Sequence, residues 1–86
     1  MFIVEKFKNE EREYYFILYK DYCWDEEITK LLHMDVEEYR RLLVSFGAEP
    51  GATKQSDVKF YNENYAKDAV EYLNEKYGVM LKLEGV

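Results

Sequence analysis

The sequence is poor in residues that cross-link a chain or carry chemistry: it has one cysteine, one histidine and one proline. A single cysteine excludes an internal disulfide, and Cys23 with His33 is too small a ligand set for a structural zinc ion. These two residues also flank a predicted short helix, which would hold them roughly 12 to 15 Å apart. We therefore expect no metal, no cofactor, no catalytic residues and no enzyme activity.

Long apolar runs and an excess of basic charge are also lacking. No apolar run approaches the roughly 18 residues of a membrane helix, and acids stand where a secretory signal would continue. We expect a cytoplasmic protein without a membrane partner. Twelve basic and 18 acidic side chains give a net charge of −6, which disfavours avid nucleic-acid binding. The 86 residues are 48% hydrophobic, which predicts one folded domain over 1–86.

Strand-forming residues occur near both ends of the chain. Residues 2–7 and 14–20 are rich in β-branched and aromatic side chains and are separated by a charged stretch, which predicts a hairpin over 2–20. A short strand is predicted around Phe60. The alternation in VMLKL predicts a closing strand at 79–83.

Apolar residues spaced three and four apart predict three helices between these strands. Capping residues set their bounds at Asp25 to His33, Asp35 to Gly47, and Asn62 or Asn64 to Gly78. The predicted fold class is α+β. It has three helices and a small antiparallel sheet of hairpin and closing strand, in the order ββααβαβ.

Residues 24–77 carry a pattern of helices and turns that is typical of one class of DNA-binding proteins. Two short helices meet near 32–35, Pro50 and Gly51 mark a turn, and 60–62 (Phe-Tyr-Asn) lead into a third helix. This pattern resembles the winged helix-turn-helix of mercury-resistance (MerR) regulators and phage excisionases. The resemblance implies a second helix in the major groove and a wing on the phosphate backbone. By position, the DNA-binding candidates are Arg40, Arg41, Lys54, Gln55 and Lys59.

The start of the second helix departs from that family pattern. Asp35, Glu37 and Glu38 stand where base-reading side chains are expected, and phosphates would repel them. The helix dipole and the cap explain these acids without DNA. DNA is therefore an alternative partner rather than the first choice.

Tyrosine is the most over-represented residue, with nine in the chain. Tyrosine is enriched at protein interfaces, although aromatic side chains also fill thin cores. Alternation along the second strand predicts two apolar faces, one with Tyr15, Ile17 and Tyr19 and one with Tyr14, Phe16 and Leu18. The last helix and the closing strand can cover one of them. The other face would then be available to a partner or to a second copy of the chain.

The leading hypothesis is a non-catalytic regulator or adaptor that binds a protein partner through an acidic, tyrosine-rich surface on a winged-helix-type scaffold. The candidate protein-binding residues are Tyr14, Tyr15, Tyr19, Tyr22, Trp24, Glu26, Glu27, Glu37 and Glu38. One alternative is a DNA-binding regulator or excisionase-like protein. Another is an acidic phage-type inhibitor that mimics nucleic acid against a host nuclease or a defence protein such as a CRISPR effector. A homodimer is also considered, because an exposed hairpin edge invites pairing.

Overall fold

The computed structural model describes residues 1–20, 22, 24–51 and 58–84, and for 79–84 it describes only the backbone. Its elements are β1 (Phe2–Lys8), β2 (Glu13–Tyr19), α1 (Asp25–Leu32), α2 (Val36–Ser45) and α3 (Glu63–Glu84). The α+β class is confirmed. So is the order of the elements up to the last helix, with two isolated β-bridges in the place of the third strand. One bridge joins Tyr15 to Phe60 and the other joins Glu49 to Lys59.

The hairpin is a regular antiparallel pair of strands. Its register places Phe2 opposite Tyr19 and continues without a bulge to Lys8 opposite Glu13. Asn9 closes the loop, since its Oδ1 accepts hydrogen bonds of 2.9 Å from the backbone N–H groups of Glu11 and Arg12. This local side-chain turn explains why a charged stretch can join two apolar strands.

The core lies between one face of the hairpin and the three helices, and α3 packs directly on the strands. Ala66, Ala69 and Leu73 of α3 are fully buried and belong to the same cluster as Phe2 and Ile17 of the sheet. The two alanines leave room for the helix to approach the aromatic side chains of the strands. The face of the hairpin that packs against α3 is called the inner face below.

Two of the three helix starts agree with the sequence and one does not. Asp35 Oδ1 accepts from Glu37 N–H at 2.8 Å, and Asn62 Oδ1 accepts from the N–H groups of Asn64 and Tyr65. Asp25 was expected as the cap of α1, but Trp24 holds that position without a side-chain cap bond. The Asp25 carboxylate instead faces Arg40 of α2.

The predicted closing strand at 79–83 is wrong, because α3 continues through this segment to Glu84. Gly78 was expected to end the helix, yet its φ lies outside the left-handed region, whereas Gly47 has a φ of +105°. The segment VMLKL contains only one β-branched residue, and methionine, leucine and lysine all favour helices. An apolar run this short does not distinguish strand from helix by its periodicity.

Two absences concern the described residues, one of a membrane-spanning helix and the other of a metal-binding group. Within them, no helix is both long and apolar enough to cross a bilayer. Nor does that part of the chain bring together three or more histidine, cysteine, aspartate or glutamate side chains able to hold a metal ion.

Candidate interaction surface of the hairpin

The two faces of the hairpin differ sharply in their exposure to solvent. On the inner face, Phe2, Tyr15, Ile17 and Tyr19 are at most 8% exposed. On the opposite face, which we call the outer face, Ile3 is 48% exposed. Its neighbours there are only partly buried: Phe7, Tyr14, Phe16 and Leu18. The expected division into a covered and an uncovered apolar face therefore matches the burial pattern of the strands.

Four aromatic rings on the outer side of the sheet contact one another and form the aromatic cluster Phe7, Tyr14, Phe16 and Tyr61. Phe7 stacks on its cross-strand partner Tyr14 with ring centroids 5.7 Å apart, and Phe16 meets both rings edge-on at 5.2 and 5.4 Å. Tyr61 approaches Tyr14 at 6.5 Å from the segment before α3. Such contacts hold the rings in fixed orientations.

Two cations lie over the tyrosine rings of this aromatic cluster. The Arg12 guanidinium lies 3.5 Å from the centroid of Tyr61, and the Lys59 ammonium lies 4.9 Å from that of Tyr14. Both distances are within the range of cation–π attraction. The surface is therefore aromatic at its centre and carries positive charge at the edge formed by Arg12 and Lys59, on a chain whose net charge is −6.

The tyrosines proposed for protein binding occupy two different environments. Tyr15 and Tyr19 are 8% and 5% exposed and belong to the core, so they cannot present an interaction surface. Their burial follows from the same alternation that places Tyr14 on the outer face. Tyr22 is 41% exposed and Trp24 is 57% exposed, next to the start of α1.

The acidic candidates lie in the first turns of two helices. Glu26 and Glu27 are in the first turn of α1, and Glu37 and Glu38 are in the first turn of α2. Glu27 is partly buried and the other three are exposed. Acids at these positions interact favourably with the positive end of the helix dipole, whatever else they do.

The three described DNA-binding candidates lie in different environments. Arg40 Nε donates to Asp25 Oδ2 at 3.0 Å, and its side chain is 16% exposed. Lys59 lies over Tyr14, and Arg41 is exposed on α2. Lys54 and Gln55 lie outside the described residues, as does Cys23.

Three residues of the aromatic cluster and its positively charged edge were not predicted from the sequence as part of a surface: Phe7, Arg12 and Tyr61. Phe7 follows from the alternation of β1, because it shares a face with Ile3 and pairs with Tyr14. Arg12 and Tyr61 are far apart in the chain and meet only because the hydrogen bonds between Tyr15 and Phe60 bring residue 61 beside the hairpin. No local pattern contains that information.

Comparison with known proteins found no similarity to a protein-family model, to a curated protein or to a solved structure.

Proposed function

We propose that the chain is a non-catalytic regulatory or adaptor protein that binds a protein partner through the outer face of its hairpin. In this proposal the helix pair α1–α2, with the bridge that joins Glu49 to Lys59, belongs to a winged-helix-type scaffold. The exposed Tyr22 and Trp24, next to the start of α1, are further contact residues in this proposal.

The observation that carries the proposal is the aromatic cluster on a face that α3 does not cover. The inner face of the hairpin is already buried, since Phe2, Tyr15, Ile17 and Tyr19 are at most 8% exposed. Rings already held by their neighbours lose little conformational freedom on binding, which is why aromatic side chains dominate the centres of protein interfaces. The partly exposed Phe16, in contact with both Phe7 and Tyr14, is at the centre of this surface.

The ion pair of Arg40 favours a protein partner over DNA. Arg40 is engaged by Asp25, so using it for phosphate would leave a carboxylate that is only 7% exposed without this partner. That exchange is costly, because a buried carboxylate needs its counter-charge. Arg12 and Lys59 lie over the rings of Tyr61 and Tyr14. In this proposal their positive charges also attract acidic groups of the protein partner.

The test is site-specific photo-crosslinking in an extract of the native source. A benzoylphenylalanine replaces Phe16 on the outer face or, as the control, Val44, which is 39% exposed on α2. A discrete protein adduct is expected at position 16 and none at 44. Affinity for the purified partner should then fall about ten-fold or more in Phe16→Ser and stay within about two-fold in Val44→Ser, the scale of one interface anchor.

Two results would contradict the proposal. The first is equal affinity of the Phe16→Ser and Val44→Ser variants for the partner. The second is salt-sensitive binding of duplex DNA that weakens in Arg41→Ala, with no protein adduct at position 16. The second result would favour the DNA-binding alternative.

A further inference from the structure

The edge of β1 that faces away from β2 carries backbone N–H and C=O groups without partners among the described residues. Tyr15 and Tyr19 direct their backbone N–H groups away from β1, toward Phe60 and Tyr22. Because Lys6 pairs with Tyr15 and Phe2 with Tyr19, these are the pairs that exchange no ladder hydrogen bonds. The N–H and C=O groups of Phe2, Val4, Lys6 and Lys8 therefore point outward.

Asn74 of α3 closes one end of this edge. Its Oδ1 accepts from Phe2 N–H at 2.7 Å, and its Nδ2 donates to Phe2 C=O at 3.1 Å. No such partner is present in the described structure for Val4 or Lys6. The open part of the edge thus begins at Val4 and continues to Lys8.

An apolar groove between β1 and α3 lies at the Phe2–Val4 end of this edge. Phe2, Ile3, Val4 and Val70 line its apolar part, and Lys67 and Glu71 are among its polar residues. A strand added to β1 would direct alternate side chains toward Val70. Docking of this kind combines main-chain hydrogen bonds with pockets for every second side chain.

The charges along the groove change sign from one end to the other. Phe2 lies at Asn74, whereas Lys6 pairs with Tyr15, which in turn bridges to Phe60 just before the start of α3, so β1 runs antiparallel to α3. The Phe2 end is flanked by Glu71 and Glu75, and the other end carries the exposed Lys8 together with Lys6, which is paired with Glu13 at 3.2 Å. An extended segment fits best with a basic residue at the first end and an acidic residue at the second.

The same charges disfavour a second copy of the chain as the occupant. In an antiparallel pair of two β1 strands, placing Val4 opposite Lys6 puts Glu5 opposite Glu5. Centring the pair on Lys6 puts Lys6 opposite Lys6. Like charges directly opposite are destabilising. The register with Val4 opposite Val4 avoids this but needs the Phe2 backbone, which Asn74 already binds.

We propose that the open edge of β1, from Val4 to Lys8, binds an extended segment of a different protein as a third strand. The segment has apolar side chains at alternate positions facing Val70, a basic residue near Glu71 and Glu75, and an acidic residue near Lys6 and Lys8. The backbone groups of this site are separate from the aromatic cluster Phe7, Tyr14, Phe16 and Tyr61, so its test does not depend on the function proposed above.

Two fluorescein-labelled heptapeptides of reversed sequence are the probes, one for each strand direction. Each has valine at alternate positions, lysine at one end and glutamate at the other. We expect one of them to bind in fluorescence anisotropy. Lys6→Pro removes an outward N–H but no ladder bond, and should weaken binding about ten-fold, whereas Lys6→Thr keeps the N–H and should change it about three-fold or less.

The peptide backbone supplies a second arm that needs no variant of the protein. N-methylation of the peptide residues whose N–H groups face β1 should abolish binding, whereas N-methylation of the intervening residues should not. Hydrogen exchange should show the amides of Val4 and Lys6 becoming protected only when peptide is added. The amides of Glu5 and Phe7 should be protected with and without peptide. Their protection in Lys6→Pro would show that the hairpin of this variant is intact.

Three results would overturn the proposal. The first is that neither peptide binds. The second is that binding is insensitive to N-methylation at every position. The third is that the amides of Val4 and Lys6 are protected without peptide and the chain dimerises as its concentration rises. The last result would identify a second copy as the occupant. A photo-crosslinking experiment without an adduct at position 16 would contradict the proposed function but not this peptide site. The two proposals can therefore fail independently.

Discussion

Arg40 of α2 and Asp25 of α1 form an ion pair of 3.0 Å that links the two short helices, with 16% and 7% of their side chains exposed. Each residue has a simpler interpretation in the sequence alone, Asp25 as a helix cap and Arg40 as a phosphate contact. Asp25 does not cap α1, and its carboxylate pairs with Arg40 instead, whereas the use of Arg40 for phosphate stays a prediction. Because isolated short helices are marginally stable in water, α1 and α2 depend on contacts with the rest of the fold, and this ion pair is one of them.

Removing Arg40 should therefore destabilise the fold. Arg40→Ala leaves the Asp25 carboxylate, which is largely buried, without this partner, and we expect the free energy of unfolding to fall by about 2 to 4 kcal/mol. Urea denaturation followed by circular dichroism measures the change. Arg41→Ala is the control, because Arg41 is exposed and its loss should matter by about 0.5 kcal/mol or less. Equal effects of the two substitutions would contradict the structural role of the pair.

Local features of the sequence predict the elements better than the contacts between them. The helices of Asp35 and Asn62 begin where their caps indicate, because a cap acts within a few residues. The pairing of Tyr15 with Phe60 and the ion pair of Asp25 with Arg40 depend on how distant segments pack. The same is true of the candidate surface, where alternation alone assigns Tyr14 to the outer face but does not bring Tyr61 beside it.

Replacing Gly78 tests the helical course of the C-terminal segment. Gly78 lies inside α3, and a Cβ added there would meet no atom within 4 Å. Gly78→Ala should raise the free energy of unfolding by about 0.5 to 1 kcal/mol, since alanine loses less backbone entropy in a helix. A destabilised Gly78→Ala variant would instead indicate a helix that ends at this glycine with a left-handed φ, as the sequence suggested. Thermal unfolding followed at 222 nm gives the sign.

Gly47 should respond in the opposite direction. Its φ of +105° is unfavourable for any side chain, and an added Cβ would lie 2.5 Å from Cδ2 of Tyr65. We expect Gly47→Ala to lower the free energy of unfolding by about 1 to 3 kcal/mol. When Tyr65 is also alanine, the steric clash is removed but the unfavourable φ remains, so Gly47→Ala should still lower the free energy of unfolding relative to Tyr65→Ala alone. Equal stability of Tyr65→Ala and the double variant would show that the backbone conformation contributes nothing.

The exposed pair of Lys6 and Glu13 predicts a small pH dependence at the alkaline end. Glu13 accepts a hydrogen bond from Lys6, at 3.2 Å, and raises the pKa of Lys6 above its ordinary value of 10.5. The contribution to stability is therefore complete below pH 10.5 and is lost as the pH rises through the higher pKa of the folded state. NMR titration of the Lys6 ε-methylene should give a lower pKa in Glu13→Gln. The pKa of Lys76, raised by its hydrogen bond to the Tyr72 hydroxyl, should not change.

Asn74 should protect the edge of β1 against pairing with a second copy. Its two hydrogen bonds occupy both backbone groups of Phe2, so Asn74→Ala should lower the free energy of unfolding by about 1 to 2 kcal/mol.

The same change makes available the register in which Val4 lies opposite Val4 of a second copy, where no like charges face each other. We expect Asn74→Ala to self-associate more than the unmodified chain in sedimentation velocity as concentration rises. Adding Lys6→Pro should reverse this, because the Lys6 N–H is needed opposite Phe2 in that register. Unchanged sedimentation of a folded Asn74→Ala variant would show that another feature blocks the edge.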